Sequence, residues 1–405
     1  MVYSSRLRHA IGDVRAMLES NGLGRQSELF SRHGVHEPSV GAPLVLVACS
    51  GGRDSLALAV VSRTVCAALG LRCGAVIVDH GLQDDSATVA CETRSRCLDA
   101  GLDPVAVRAV HVPPSSRGTE AAARDARYSA IIDEAKSRRA RAVLLAHTRN
   151  DQAESVLIDV MRSSGLDAMA GMPRSFVRGG VLFLRPFLDL TRDQTTGICR
   201  DLGLEWWDDP TNGDSIRSDE PLPVQYPLRS RVRHDLMPYL RRFTGEDIVS
   251  HLAQGARIAS LDKAYLDARC DEVSRRAVRL VSAQGSPGPD RCGESGGGGS
   301  AETPDGPVGA SDSCGGGCDG SGTGAGGVEL RVGELENVHP AIRLRVIAHV
   351  LSSIGLPVTS RHVEAIDALI ADWHGQGAVS LPSGYSALRQ KHVIRLCQDG
   401  LHANR

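Results

Sequence analysis

VACSGGRDSLAL, residues 47–58, sets a Ser-Gly-Gly-x-Asp-Ser turn between a short apolar strand and an apolar helix. Gly51 and Gly52 let the backbone bend tightly and come close to a ligand. The helix that begins near Asp54 presents unpaired N–H groups and the positive end of its dipole, which attract anions. The turn matches neither the Walker pattern Gly-x-x-x-x-Gly-Lys-Ser/Thr nor Gly-x-Gly-x-x-Gly. We therefore predict a phosphate-binding loop of another type, with a plain strand–turn–helix connection as the alternative.

Strand and helix patterns alternate on the carboxyl side of this turn, up to about residue 190. Strands that are apolar throughout and alternate with helices indicate a parallel sheet covered on both faces. We therefore predict an α/β fold with an open, Rossmann-like parallel sheet that binds ligands at the carboxyl ends of its strands. The strand patterns are 44–49, 74–79, 105–112, 142–147 and 181–187, and the helix patterns are 54–69, 86–100, 119–138 and 191–204.

Changes in composition divide the rest of the chain. A basic stretch, PLRSRVRHDLMPYLRRF, opens a helical region that runs to about residue 282. Residues 285–327 contain 17 glycines and almost nothing to bury, which is typical of a disordered insertion. Helix patterns at 339–354 and 359–373, with strands around VSLP and HVIRLC, then indicate a small α+β domain. The predicted segments are a lead-in helix (1–40), a catalytic domain (41–226), a basic helical region (227–284), the insertion (285–327) and a C-terminal domain (328–405).

Composition excludes several classes of protein. Hydrophobic residues make up 41% and charged residues 23%, as in globular proteins, and no apolar run reaches the roughly 18 residues of a membrane span. The formal net charge of −2 does not indicate a general nucleic-acid binder, so any RNA contact must come from a local basic patch. The N-terminus lacks a signal-peptide core, and we expect a cytoplasmic location.

The eleven cysteines are scattered along the chain. Most lie in apolar segments, where a small buried thiol is the simplest interpretation. The pair Cys314 and Cys318 has no His or Cys partners at the spacing of a zinc site. The cysteines predicted to be buried are Cys66, Cys73, Cys97 and Cys199.

The quoted turn resembles the pyrophosphate loop (PP-loop) of the N-type ATP pyrophosphatases. These enzymes split ATP into AMP and pyrophosphate while they adenylate a carbonyl oxygen for nucleophilic attack. Further motifs occur in the order seen in the tRNA(Ile)-lysidine synthetase family, strongly over 43–240 and more loosely over 328–396. They are IVDHGLQDDS (77–86), TEAAARDARY (119–128), LAHTRNDQAES (145–155), DVMRSSGLDAMAGMP (159–173), LRPFLDLTR (184–192), WWDDPTN (206–212) and RSRVRHDLMPYL (229–240).

The resemblance implies an AMP-forming ligase. That family attaches L-lysine to C2 of the wobble cytidine of an isoleucine tRNA with a CAU anticodon, through an adenylated tRNA. It implies ATP as a substrate, Mg²⁺ as a cofactor, and tRNA(Ile) and L-lysine as partners, bound in part by the C-terminal domain. No membrane partner is expected, and a homodimer is left open.

Several residues are candidates for the nucleotide chemistry. Asp54 is the candidate Mg²⁺ ligand, although an acid in the first turn of a helix also stabilises the helix dipole. Arg124 is preferred over Arg127 as the phosphate clamp, with a solvated helix face as the alternative. Asp79 and His80 end a strand, where a plain turn is the alternative. The expected ATP site is Ser50, Gly51, Gly52, Arg53, Asp54, Ser55, Asp79 and His80, and the expected catalytic residues are Asp54, Arg124 and His147.

A lysine substrate carries an ammonium group that favours carboxylates. Asp151 and Glu154 lie three residues apart at the start of a helix and therefore share one face, and the resemblance assigns them to lysine. His147 ends the preceding strand and is the candidate side chain nearest the nucleophile or the adenylate. Capping is the alternative, with Asn150 or Asp151 as the N-cap and Glu154 completing a capping box.

Four arginines are candidates for tRNA contact. Arg229, Arg231 and Arg233 alternate on the basic segment and suit backbone phosphates, although a solvated helix gives the same pattern. Arg162 precedes a loop that corresponds to the family's Arg-Gly-x-Gly but reads Arg-Ser-Ser-Gly here. One flexible position of that loop is therefore lost.

Other activities share the PP-loop. A tRNA thiolase needs a reactive cysteine pair or a persulfide carrier, and no Cys-x-x-Cys occurs in the chain. A second alternative is an amide synthetase of the NAD or GMP synthetase type. The basic segment and the C-terminal domain argue against this class. A non-catalytic nucleotide-binding module would bind ATP without turnover.

Overall fold

The computed structural model describes residues 3–32, 37–81, 85–112, 119–213, 216–217, 220–281, 327–357 and 359–398. The described chain divides into two compact units, one ending at Ser260 and the other beginning at Leu261. The predicted insertion at 285–327, with Cys314 and Cys318, lies outside the described residues apart from Gly327.

A six-stranded sheet forms the centre of the first unit, in the spatial order β3-β2-β1-β4-β6-β5. Its first four neighbouring pairs are parallel, and only the edge strand β5 is antiparallel, to β6. The predicted open parallel sheet is therefore confirmed, with one antiparallel edge added. The strands are β1 (Leu44–Ala48), β2 (Arg72–Asp79), β3 (Val105–Ala109), β4 (Ala142–Leu144), β5 (Ser175–Arg178) and β6 (Val181–Leu184).

Helices cover both faces of this sheet, as predicted, and in the described chain none is long and apolar enough to cross a membrane. The helices of the first unit are α1 (Ser5–Ser20), α2 (Arg53–Leu69), α3 (Ser86–Asp99), α4 (Thr119–Ser137), α5 (Arg149–Arg162), α6 (Leu166–Met169), α7 (Arg192–Asp201), α8 (Leu228–Arg231) and α9 (Met237–Thr244). A π-helical turn, Val232–Leu236, joins α8 to α9, and α10 (Ile248–Ala277) runs past the boundary between the units.

Strand β1 shows how the sequence produces the two faces. Its side chains alternate, so that Val45 and Val47 pack with α1, α2 and α7, whereas Leu44 and Leu46 pack with α4. All four are buried. A strand buried on both faces must be apolar at every position, which is why its sequence does not alternate with polar residues.

The second unit is a five-stranded antiparallel sheet in the order β7-β8-β11-β10-β9. Its strands are β7 (Val278–Val281), β8 (Gly327–Arg331), β9 (Val379–Leu381), β10 (Tyr385–Gln390) and β11 (Val393–Gln398). Helices α11 (Pro340–Ser353) and α12 (Ser360–Ala371), with the end of α10, share its apolar core. The predicted C-terminal α+β architecture is confirmed.

Three local predictions differ from the structure. The pattern at 105–112 is not a fully buried strand, because β3 lies at the sheet edge and ends at Ala109. The helical region does not reach residue 282, because α10 ends at Ala277 and the next four residues form β7, which pairs with β8. Strand β5 was not predicted, although the Gly179-Gly180 turn that joins it to β6 is typical of a tight hairpin.

The described cysteines are all free thiols. Those predicted to be buried are buried, with exposed fractions of 5% or less. They are Cys66, Cys73, Cys97 and Cys199.

Candidate active site

A cavity of about 850 Å³ opens where β1, β2 and β4 end. The chain runs from β1 through β2 to β3 on one side and then returns to β4 on the other side of β1. Open α/β sheets bind ligands at such a switch point, just beyond the carboxyl ends of the strands. The volume lies within the roughly 300–1,000 Å³ typical of small-molecule sites.

The PP-loop forms the floor of this cavity and is held in place by three hydrogen bonds. The Ser55 hydroxyl accepts from the Ser50 N–H at 3.2 Å and donates to the Gly52 carbonyl at 2.9 Å. The Trp207 N–H donates to the Gly51 carbonyl at 3.0 Å. Gly51 has φ +84°, and a Cβ there would overlap the hydroxyl of Thr93. The loop is therefore preformed, with the first turn of α2 aimed at the cavity.

Asp54 lies in that first turn and lines the cavity. Its carboxylate accepts a hydrogen bond from the Thr195 hydroxyl on α7. Burial and the nearby charge of Asp151 raise the pKa of Asp54. Mg²⁺ commonly uses one or two carboxylates together with substrate phosphates. Asp54 offers one such carboxylate, and among the described residues no cluster of three or more His, Cys, Asp or Glu ligands occurs.

Arg124 and Arg127 on α4 both line the cavity, so the choice of clamp between them stays open. Asp79 is the last residue of β2 and His80 follows it, and both line the cavity. The Asp79 carboxylate accepts from the Gly81 N–H at 3.0 Å. Burial and the charge of Arg127 lower the pKa of His80. Its buried Nδ1 has no hydrogen-bond partner in the described part of the chain. A nucleotide in the cavity could supply one.

The N-terminus of α5 is capped by other residues than the capping alternative named. Thr148 is the N-cap, and its N–H donates to Asp151 Oδ2 at 2.8 Å, which makes Asp151 the third residue of a capping box. The capping alternative, with Asn150 or Asp151 as the N-cap and Glu154 completing the box, is therefore wrong in its residues, because Asp151 completes a box that Thr148 begins. Thr148 has the extended backbone of an N-cap, and Asn150 instead accepts from the Arg192 N–H at 3.0 Å.

Asp151 and Glu154 meet on one face of α5 and are paired with two arginines. Arg192 Nη2 lies 3.2 Å from Asp151 and 3.3 Å from Glu154. Arg233 Nε lies 2.8 Å from Glu154, and its Nη2 lies 3.3 Å from Asp151. Glu154 is 1% exposed. We call these four residues the α5 charge cluster; its formal charges cancel.

Within the α5 charge cluster, the pKa shifts of Asp151 and Arg233 both favour the charged forms. Burial alone would raise the pKa of Asp151, but the charges of Arg192 and Arg233 hold it well below its usual range. Burial alone would lower the pKa of Arg233, but its bonds to Glu154 raise it. An entering ammonium group must therefore compete with two guanidinium groups for these carboxylates.

His147 follows β4 and lines the cavity beside a buried arginine. Arg185 is 3% exposed, and its Nε donates to His147 Nδ1 at 3.2 Å. Its Nη1 donates to the Pro173 carbonyl at 2.5 Å, and its guanidinium lies 4.4 Å from the centre of the Phe176 ring. Burial lowers the pKa of His147 to about 3, so its ring is neutral at physiological pH.

The four arginines predicted for tRNA do not share one environment. Arg233 belongs to the α5 charge cluster, and Arg229 donates to the Ser155 hydroxyl at 2.5 Å. The Nε of Arg231 is buried without a hydrogen-bond partner among the described residues. Arg162 is exposed at the end of α5. Of the three that alternate on the basic segment, two therefore face the active-site helix.

Several residues of the site were missed from the sequence. Arg185 and Arg192 lie within LRPFLDLTR, which was recognised as a motif but given no role. Thr148 and Thr195 were also missed. A threonine three residues before an acid is a cap signal that would have found Thr148, whereas nothing local indicates that Thr195 reaches Asp54.

Comparison with known proteins places this site in a family. Residues 27–240 match the PP-loop domain and residues 330–402 match the TilS substrate binding domain. The tRNA(Ile)-lysidine synthase of Bifidobacterium longum subsp. infantis is 53% identical over 406 residues, covering 100% of both chains. That of Salinispora tropica is 38% identical over 349 residues, covering 85% of this chain and 88% of its own.

Among solved structures, a U34-tRNA thiolase from Methanococcus maripaludis aligns over 63% of this chain and 78% of its own. Its identity of 13% and TM-score of 0.44 are too low to support an argument. The two matched domains and the full-length relatives, in contrast, agree with each other and with the cavity described above. The chain belongs to the tRNA(Ile)-lysidine synthase family.

Proposed function

We propose that the protein ligates L-lysine to C2 of the wobble cytidine of tRNA(Ile) with a CAU anticodon, through an adenylated tRNA, with release of AMP and pyrophosphate. The observation that carries this proposal is the shared cavity: the PP-loop and the carboxylate of Asp151 line the same space. An anion site and a cation site that face each other suit a reaction between ATP and an amine.

The first half-reaction uses the PP-loop wall. The N–H groups at the start of α2 and the guanidinium of Arg124 or Arg127 would hold the phosphates of ATP. The cytidine O2 would then attack the α-phosphate, form the adenylate and release pyrophosphate. Asp79 and His80 would line the pocket for the rest of the nucleotide.

The second half-reaction uses the α5 charge cluster. Lysine would bind through its ammonium group to Asp151 and Glu154 and displace part of the Arg192 and Arg233 contacts. The freed guanidinium groups are then available for anions, of which the tRNA backbone and the substrate carboxylate are the nearest candidates. A lysine amino group, once its ammonium form has lost a proton to solvent, would attack C2 of the cytidine. The C2–O2 bond would break, AMP would leave with that oxygen, and the new C2–N centre would release a second proton to solvent.

The direct test combines purified protein, Mg-ATP, labelled lysine and unmodified tRNA(Ile) with a CAU anticodon. We expect label to join the tRNA and AMP to form only when all components are present. AMP formation without lysine transfer would retain the adenylating fold and reject the ligase. If neither AMP nor labelled tRNA forms with any tRNA, the remaining interpretation is a non-catalytic nucleotide-binding module.

The thiolase alternative is not favoured. Within the described chain, Cys49 is the one cysteine that lines the cavity, and it is 2% exposed. Sulfur transfer requires an accessible, activated thiol. Family membership points the same way.

We also propose that Asp54 shares a Mg²⁺ ion with the phosphates of ATP. When bound there, the ion would neutralise phosphate charge. Asp54→Asn keeps the acceptor for Thr195 but removes the charge, so we expect AMP formation to fall about 10²-fold and the half-saturating Mg²⁺ concentration to rise. Thr195→Val is the matched control, because it removes the hydrogen bond and keeps the carboxylate. If the half-saturating Mg²⁺ concentration is unchanged in Asp54→Asn, Asp54 does not bind the metal and only stabilises the helix dipole.

The exposed face of α9 is our proposed tRNA contact beyond the active site. Tyr239 and Phe243 are 52% and 75% exposed, and their rings stack 5.9 Å apart at 19°. Arg242 is exposed, three residues after Tyr239 and therefore on the same side of the helix. Aromatic faces stack on unpaired bases, and arginine binds phosphates.

This surface gives two distinguishable effects on tRNA binding. Phe243→Ala is expected to weaken binding about tenfold through lost stacking. Arg242→Gln is expected to reduce the slope of log affinity against log salt by about one, whereas Arg94→Gln on α3, also exposed, is the control. Equal salt slopes for the two arginine variants would reject the contact. A change in oligomeric state of Phe243→Ala, measured by light scattering, would reassign the face to a homodimer.

A further inference from the structure

Arg185 and His147 form a contact whose hydrogen-bond direction is fixed by chemistry. A guanidinium group has only donors, so it cannot accept a proton from a neighbour. Arg185 Nε lies 3.2 Å from His147 Nδ1. The Nδ1 atom must therefore accept, and the proton of the neutral ring must lie on Nε2.

Arg185 is itself held firmly in this position. It is 3% exposed, donates to the Pro173 carbonyl and stacks on Phe176. A reversal of the histidine tautomer would place two N–H groups against each other at this contact. That would leave a buried donor without an acceptor, which is unfavourable.

The other charges around His147 also oppose an imidazolium. Burial lowers its pKa most, Asp151 from α5 raises it, and Arg185 from the loop after β6, Arg229 from α8 and Arg124 from α4 lower it further. Among these charges, three cations oppose one anion. The ring is therefore neutral at physiological pH.

We propose that Arg185 is a positioning residue that holds His147 as its Nε2–H tautomer, so that His147 donates a hydrogen bond into the cavity and does not act as a general base. This inference rests on the proposed function only for the identity of the acceptor. The acceptor would be an oxygen that gains negative charge, such as a phosphate oxygen of the adenylate during attack or departure. A fixed neutral donor stabilises such an oxygen without reorganising.

The tautomer can be read directly by ¹⁵N NMR of histidine-labelled protein. The chain has 14 histidines, and the His147 signals are those lost in His147→Gln. We expect a protonated Nε2 and an unprotonated Nδ1 from pH 6 to 8. A protonated Nδ1, or an imidazolium within this range, would overturn the proposal. Because this experiment needs no turnover, it stands even if lysine transfer is not observed.

Two matched substitutions test the donor in turnover. The amide N–H of glutamine reaches the position of Nε2, and that of asparagine reaches only the position of Nδ1. We expect His147→Gln to retain about a tenth of the rate and His147→Asn to lose about 10²–10³-fold, the usual effect of removing one such donor. Equal loss in both variants, together with loss of a titration in the pH–rate profile, would show a base and refute the donor.

Arg185→Gln tests the positioning role separately. An amide can both donate and accept, so we expect a mixture of His147 tautomers and a new protonation step in the pH–rate profile. An unchanged tautomer and pH profile would show that Arg185 is structural only. If this variant does not fold, the wild-type tautomer spectrum and the His147 pair still decide the proposal.

Discussion

Glu154→Gln is expected to lower the free energy of unfolding by about 3–5 kcal/mol and to abolish lysine transfer. Glu154 is 1% exposed and accepts from both Arg192 and Arg233. Removing one charge of a buried cluster leaves a guanidinium without compensation, which destabilises far more than loss of a surface ion pair. Chemical denaturation and the labelled-lysine assay measure the two effects.

A second substitution separates the structural effect from the functional one. In Glu154→Gln/Arg233→Met, Asp151 and Arg192 remain as a balanced pair, so we expect much of the lost stability to return while lysine transfer stays absent. Asp159→Asn, on the same helix but outside the α5 charge cluster, is the control and should change stability by less than about 0.5 kcal/mol. Normal lysine use by the double variant would remove Glu154 from the lysine site.

The sequence alone predicted the parts of this site that depend on local order. The PP-loop follows a predicted strand, Asp79 and His147 each end one, and the carboxyl ends of parallel strands come together at one edge. Asp151 and Glu154 were placed on one face because helix geometry sets their spacing. These inferences need no knowledge of distant contacts.

The contacts of the arginines could not be predicted in the same way. Arg192 and Arg233 lie 38 and 79 residues from Glu154, and nothing in the local pattern distinguishes them from exposed arginines. Arg233 was predicted to contact tRNA, and the structure shows its guanidinium on Glu154 and Asp151. If lysine displaces Arg233 from these carboxylates, the same guanidinium is then available to tRNA. The tRNA role of Arg233 therefore stays a prediction.

The antiparallel strands were the least predictable part of the fold. Strands β7, β8 and β10 are four to six residues long, and strand patterns of this length do not identify their partners. The partners β7 and β8 are also separated by the Gly-rich segment. The homodimer and the cytoplasmic location likewise stay predictions.

Gly51→Ala is expected to weaken ATP binding about 10²–10³-fold. Its φ of +84° is strained for any residue with a Cβ, and the added carbon would overlap the Thr93 hydroxyl, which is buried under the loop. The left-handed conformation costs about 1–2 kcal/mol and overpacking about 1–3 kcal/mol. Each 1.4 kcal/mol is a factor of ten in affinity, and calorimetric titration with a non-hydrolysable ATP analogue measures the sum.

Gly52→Ala is the matched control within the same loop. Gly52 lacks a positive φ, and the nearest atom to its added Cβ would be 3.7 Å away, so we expect its unfolding midpoint to stay near that of the wild type while that of Gly51→Ala falls. Adding Thr93→Ala to Gly51→Ala removes the overlap but not the backbone strain, and should recover only part of the ATP affinity. Full recovery would assign the effect to packing alone, and no recovery would assign it to the conformation of Gly51. Wild-type affinity in Gly51→Ala itself would show that phosphate binding does not depend on the shape of this loop.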